Sequence, residues 1–241
     1  MNKTKIEWVK NPDGTQGYTW NPITGCLNGC PYCYARKLAN GRLKPLYLAN
    51  RNIAPLNEQY LIGFNTEYKP ELDPFYPRFW SSRIDGTRLE LISCKPRGIF
   101  PCDMGELFGA WLPSEWQEEI FDLFREFPQH RFYLLTKQHQ NLIKFSPFPD
   151  NCEVGVTVTN SKAYQDAIVW LNRIEATVRF ISFEPLLGRI SVDSGRKHPR
   201  WLGLQGIDGV IIGAQTRPYK PPELEWVYEI VRACDKASIP V

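Results

Sequence analysis

Three cysteines stand within eight residues, Cys26-Leu27-Asn28-Gly29-Cys30-Pro31-Tyr32-Cys33, in the spacing C-x3-C-x2-C. Their thiolates can surround one small inorganic centre, because Gly25, Gly29 and Pro31 let the chain curl and bring the sulfurs to one side. A [4Fe-4S] cube normally takes four cysteines, one per iron, so a set of three leaves one iron open to a substrate or cofactor. Zinc is the competing reading, and a zinc knuckle needs a fourth ligand. His130, His139 and His198 are all distant in sequence, which leaves Cys94 and Cys102 as the other candidates. Three reduced cysteines with no metal would be a coincidence of spacing. Cys94, Cys102, Cys152 and Cys234 read as small buried apolar residues rather than ligands.

The elements around this loop follow from the pattern of apolar residues. Tyr18-Thr19-Trp20 reads as a short first strand feeding the loop, and Tyr34 to Ala39 as a helix stopped by Asn40-Gly41. From Arg97 onward short apolar runs alternate with amphipathic stretches, the pattern of repeated βα units. Strands are expected at 99–102, 131–135, 153–158, 178–183 and 209–212, although Pro101 is awkward inside a strand. Helices are expected from Pro113, with Trp116, Ile120, Phe121, Leu123, Phe124 and Phe127 at helical spacing, and over 138–145, 162–173 and 222–236. Parallel strands joined by right-handed crossovers bring their C-terminal ends to one rim. The polar residues there are Asp103, Thr136, Lys137, Thr157, Thr159, Asn160, Glu184 and Gln215.

Residues 43–90 interrupt the pattern with five prolines and many aromatics and no long period. The run Leu72 to Trp80 is too aromatic for a disordered spacer, so an ordered insertion is expected, its aromatics serving as core rather than as a base-stacking platform. With 241 residues, 43% of them hydrophobic, the chain can bury one sizeable core, and a single domain over 1–241 is the default. Seven cysteines, an odd number, together with a polar N-terminus and no apolar run near the roughly 20 residues of a membrane span, fit a reducing cytoplasm. A net charge of +3 neither demands nor excludes nucleic acid. The basic groups at Arg36-Lys37 with Arg42 and Lys44, and at 196–200, read as solvated loops.

The cysteine spacing, with Tyr32 before the third cysteine, resembles the signature of the radical S-adenosylmethionine (SAM) superfamily. More closely, the chain is similar to the phage Gp37/Gp68 (DUF5131-like) family of three-cysteine proteins. The matching blocks are Thr19 to Cys26, Gly29 to Ala35, Phe75 to Phe79, Asp103 to Gly109, Gly155 to Asn160 and Ser182 to Gly188. That resemblance implies an α/β fold, a partial (β/α)6 TIM-like barrel of the radical SAM type with the insertion after the first helix. It implies Cys26, Cys30 and Cys33 as ligands of a [4Fe-4S] cluster whose open iron chelates SAM, with Tyr32 near the adenine. The implied chemistry is reductive cleavage of SAM to a 5'-deoxyadenosyl radical that takes hydrogen from a substrate. A flavodoxin- or ferredoxin-type protein would supply the electron.

The remaining cofactor contacts are expected at strand ends. No Gly-Gly-Glu follows the second strand, so Asp103 or Glu106 would have to receive the SAM amino group, Asp103 having a helix cap near Met104 as its other reading. Of Thr157 and Thr159, one is expected to face the site and bond the ribose. Glu184, at a strand end before Pro185, is a candidate for the SAM amino group or a substrate cation, with a structural ion pair as the alternative. No catalytic acid, base or nucleophile stands out. The resemblance, with the slight basicity, also points to nucleic acid or a nucleotide as substrate class and to a partner protein encoded nearby, while the lack of a long apolar run leads to the expectation of no membrane. Ile239-Pro240-Val241 reads as the start of a further strand, as in a truncated member. A non-catalytic binding protein stapled by zinc or an iron-sulfur centre is the second class.

Overall fold

The computed structural model describes residues 1–56, 68–192, 203–216 and 218–241. The basic group at 196–200 and the middle of the 43–90 insertion lie outside the described residues. The chain divides into two units, Met1–Tyr133 and Leu134–Val241.

The first unit begins with β1 (Asn2–Lys3) and β2 (Tyr18–Trp20), paired antiparallel with Lys3 opposite Tyr18. After β3 (Ile23–Thr24) come the cysteine loop, α1 (Tyr34–Asn40) and α2 (Lys44–Ala49). β4 (Arg78–Phe79) returns to pair with β3, and α3 (Ser81–Ser93), β5 (Gly98–Pro101), α4 (Ser114–Glu126) and β6 (Arg131–Thr136) follow. The main sheet of this unit runs β1-β2-β5-β6, parallel from β2 onward, with Trp20 opposite Pro101 and Ile99 opposite Phe132. Pro101 is accommodated as the last residue of β5, where losing one donor costs the ladder least.

One face of this sheet is buried under α4. Its Ile120, Phe121, Leu123 and Phe124 are buried, and the Phe124 ring lies 4.4 Å from that of Phe132 and 5.2 Å from that of Phe121. Each such ring removed from water contributes about 1.5–3 kcal/mol, which makes this cluster the main anchor of the strands that position the loop. The expected ordered insertion is present where it is described. Phe75, Tyr76 and Phe79 are buried, as core, and α2 and α3 lie within or beside it.

The second unit holds β7 (Cys152–Thr157), α5 (Ser161–Leu171), β8 (Val178–Phe183), β9 (Gly209–Ile212), the small hairpin β10 (Gln215–Thr216) with β11 (Tyr219–Lys220), and α6 (Leu224–Ala237). β7, β8 and β9 pair in parallel in that order. Asn160 caps α5, its side chain accepting the Ala163 N–H at 2.9 Å. The helix expected over 138–145 is a 3-10 helix, His139–Phe145. It ends at Ser146, where the following Pro147 disfavours the helical backbone.

The chain is therefore mixed α/β with mostly parallel strands, as expected. No barrel is seen among the described strands, and the outer edge of β2 is taken by β1. Among the described residues no helix is long and apolar enough to cross a membrane.

Candidate functional site

The entry to the cysteine loop is fixed by backbone contacts. Gly25 has φ +88°, a left-handed conformation that only glycine adopts without cost, and a Cβ there would meet the Tyr76 carbonyl oxygen at 2.5 Å. Its N–H donates to the Met104 carbonyl at 2.9 Å, and the next N–H, of Cys26, donates to the Phe75 carbonyl at 3.0 Å. Trp80 adds an indole N–H to Thr24 Oγ1 at 2.9 Å. The aromatic strap 73–80 and the turn after β5 thus hold the loop from both sides.

The three sulfurs then follow within one curl of chain. Cys26 Sγ accepts the Asn28 N–H at 3.3 Å, and Cys33, the cap of α1, accepts the Arg36 N–H at 3.3 Å. All three cysteines are half-buried, and among the described residues, which include all seven cysteines, no disulfide forms. Burial pushes the Cys26 thiol well up, and the charges of Glu106, Cys30 and Cys33 add to this. A metal would have to displace that proton, so uptake at Cys26 is coupled to pH. Among the described residues no group of three or more His, Cys, Asp or Glu side chains is gathered closely enough to hold a metal ion. The donor set therefore has the chemistry for an iron-sulfur centre or zinc, with amide donors already aimed at two sulfurs, while the sulfurs themselves still have to be drawn together.

The turn after β5 supplies the site's carboxylates. Cys102 adopts φ +61°, and its N–H bonds to the Trp20 carbonyl at 2.7 Å, which swings the chain so that Asp103 and Glu106 both reach the loop. Asp103 Oδ1 accepts from Asn21 Nδ2 at 2.6 Å, and the Tyr34 hydroxyl donates to the Asp103 carbonyl at 2.7 Å. Desolvation raises the Asp103 carboxyl above its ordinary value, against the pull of the Asn21 and Tyr34 donors. Glu106 is buried and accepts from Asn28 Nδ2 at 3.2 Å and from the Phe108 N–H at 3.2 Å. No helix begins near Met104, so the capping alternative for Asp103 does not apply. Tyr32, half-buried, lies within the loop.

Thr157, Thr159 and Glu184 belong to the second unit. Thr157 is buried as the last residue of β7, opposite Ser182 of β8, whereas Thr159 lies two residues beyond the strand. Glu184 accepts from the buried Ser182 hydroxyl at 3.1 Å, and Gly213 leaves it room, since a Cβ there would meet Glu184 Oε1 at 2.5 Å. The carboxylate is thus pinned just past the end of β8.

The family model described as "Protein of unknown function (DUF5131)" matches residues 3–241. The chain belongs to the DUF5131 family. No curated protein and no solved structure matches it.

In this DUF5131 chain nothing in the sequence singled out Asn21, Asn28 or Tyr34 for the site, and Arg36, expected in a solvated loop, is half-buried in α1 instead. Asn21, Asn28, Tyr34 and Arg36 join the cysteine loop to its surroundings through hydrogen bonds. Asn21, Asn28 and Tyr34 stand in or beside the matching blocks, but their partners lie 69 to 82 residues away, and nothing local announces them.

Proposed function

We propose that this DUF5131 chain is a radical SAM-type iron-sulfur enzyme. The observation that carries the reading is the cysteine loop: three thiols on one curl, two of them already accepting backbone N–H bonds, stapled to the turn after β5 by Asn28–Glu106 and Tyr34–Asp103. Cys26, Cys30 and Cys33 would hold the [4Fe-4S] cluster. Bound there with SAM on its open iron, the cluster would supply reductive cleavage of a carbon–sulfur bond, using an electron from a flavodoxin- or ferredoxin-type donor.

The chain's own residues have separate tasks in this reading. Amide donors to Cys26 and Cys33 stabilise thiolate charge, since hydrogen bonds to sulfur help set a cluster's reduction potential. Asp103, desolvated and fixed by Asn21, gains most from a cationic neighbour and so receives the SAM amino group. Tyr32 lies beside the adenine. Thr157, Thr159 and Glu184, at or just past the ends of β7 and β8, are kept as the candidates for the remaining cofactor contacts on family resemblance, which also implies a partial (β/α)6 barrel. Nucleic acid or a nucleotide is the substrate class to test first, on family resemblance and a net charge of +3.

The test is anaerobic reconstitution with iron and sulfide, followed by EPR of the reduced protein with and without SAM. A [4Fe-4S]+ signal that shifts with SAM and is lost in Cys30→Ala supports the reading. Stoichiometric zinc with no cluster sinks it and leaves a metal-stapled binding protein.

A further inference from the structure

Arg36 touches both ends of the cysteine loop. Its backbone N–H donates to Cys33 Sγ at 3.3 Å, and its guanidinium Nη2 donates to the Cys26 carbonyl at 3.1 Å. The same guanidinium lies over the Phe75 ring, 4.8 Å from its centroid, and the Phe75 carbonyl accepts the Cys26 N–H. One residue therefore reaches both ends of the loop, its backbone at the third sulfur and its guanidinium at the carbonyl of the first cysteine, with the Phe75 ring beneath the guanidinium.

We infer that Arg36 is a positioning residue that sets the reduction potential of the centre held by Cys26, Cys30 and Cys33. Three thiolates around an iron-sulfur cube leave the reduced state more negative than the oxidised one. A guanidinium fixed within the ligand loop stabilises the reduced state more and raises the potential. Arginine suits the place better than lysine, because one planar fork can bond a carbonyl while its face lies on an aromatic ring.

This inference rests on the iron-sulfur reading, and the experiment separates the two. Wild type, Arg36→Met and Arg36→Lys are reconstituted anaerobically, assayed for iron and sulfide, and titrated with dithionite and mediators while EPR follows the reduced cluster. Methionine keeps an apolar stem on Phe75 and removes the charge. At a solution potential where the wild type is half reduced, the reduced-to-oxidised ratio of Arg36→Met is expected to fall about tenfold, the equivalent of about 59 mV for a one-electron couple. Arg36→Lys, which keeps the charge without the fork, is expected to lie between the two. Full cluster content in Arg36→Met with an unchanged titration overturns the inference while leaving the iron-sulfur reading intact. Loss of the cluster from both variants also overturns it, since Arg36 then only assembles the loop. If Arg36→Met alone loses the cluster, the neutral Arg36→Gln takes its place in the titration: a lowered reduced-to-oxidised ratio supports the inference, and an unchanged ratio or loss of the cluster overturns it. A wild type that takes up no cluster refutes the iron-sulfur reading itself, and the inference with it.

Discussion

Asn21 makes three hydrogen bonds with three different partners. Its carbonyl accepts from Arg83 Nη1 at 2.7 Å, its Oδ1 accepts the Met104 N–H at 2.9 Å, and its Nδ2 donates to Asp103 at 2.6 Å. The side chain thus pins the turn that carries both carboxylates. Asn21→Ala leaves a backbone donor and a desolvated carboxylate each short of a partner, and is expected to cost about 1–3 kcal/mol in urea unfolding. Asn21→Asp keeps the acceptor for Met104 but sets a second carboxylate against Asp103. Two such groups cannot both ionise cheaply, so the cost of this variant is expected to grow with pH and to shrink in acid, where the pair shares a proton. Equal destabilisation by Asn21→Asp at about pH 4.5 and about pH 8 would show that the contact with Asp103 is not electrostatic.

At the scale of elements, two glycines in one loop make opposite demands. Gly25 and Gly29 both have positive φ, at +88° and +67°, but a Cβ on Gly25 would drive into the carbonyl oxygens of Tyr76 and Phe75, whereas one on Gly29 meets nothing within 4 Å. Gly29→Ala should therefore cost only about 1–2 kcal/mol of left-handed strain. Gly25→Ala adds overpacking of about 1–3 kcal/mol to the same strain, and the gap between their urea midpoints measures how firmly the strap holds the loop. The same locality explains which elements could be read in advance. The cysteine loop, α1, β8 and β9 are short-range patterns and stand where their residues suggested. α3 was illegible because its buried stripe is only Ile84, Thr87 and Leu91, with Gly86 inside the helix and Leu89 and Ile92 exposed, so no clean 3.6-residue period shows. β3 and β4 are two residues each, too short for any period, and exist because each supplies the other's partner across the insertion. In the site, the cysteines and the two carboxylates were legible as candidates and the clamps were not, since Asn28 needs Glu106 and Tyr34 needs Asp103.

Over the whole molecule, acid sensitivity follows from buried histidine. His130 is buried at the end of the segment that follows α4, and its Nδ1 accepts the Arg97 N–H at 2.9 Å, so the ring is neutral with its proton on Nε2, 3.4 Å from the Leu91 carbonyl. Desolvation holds its pKa below the ordinary 6.5, with the Arg97 charge adding to this and the Leu91 carbonyl opposing it. The unfolded chain then binds a proton that the folded chain refuses. The stability this group contributes is complete above about pH 6.5 and is lost as pH falls through the folded value. His139 is shifted in the same direction, again chiefly by desolvation, while Asp103, raised by burial, works the other way. A comparison of variants removes these other groups from the reckoning. His130→Asn offers an amide oxygen where Nδ1 stands and cannot titrate in this range. Between about pH 7.5 and pH 5.5 the melting temperature of the wild type is expected to fall further than that of His130→Asn, and the difference is the share of His130. Equal falls would mean that the Arg97 N–H accepts the loss of Nδ1 without cost, and that the acid sensitivity belongs to other groups.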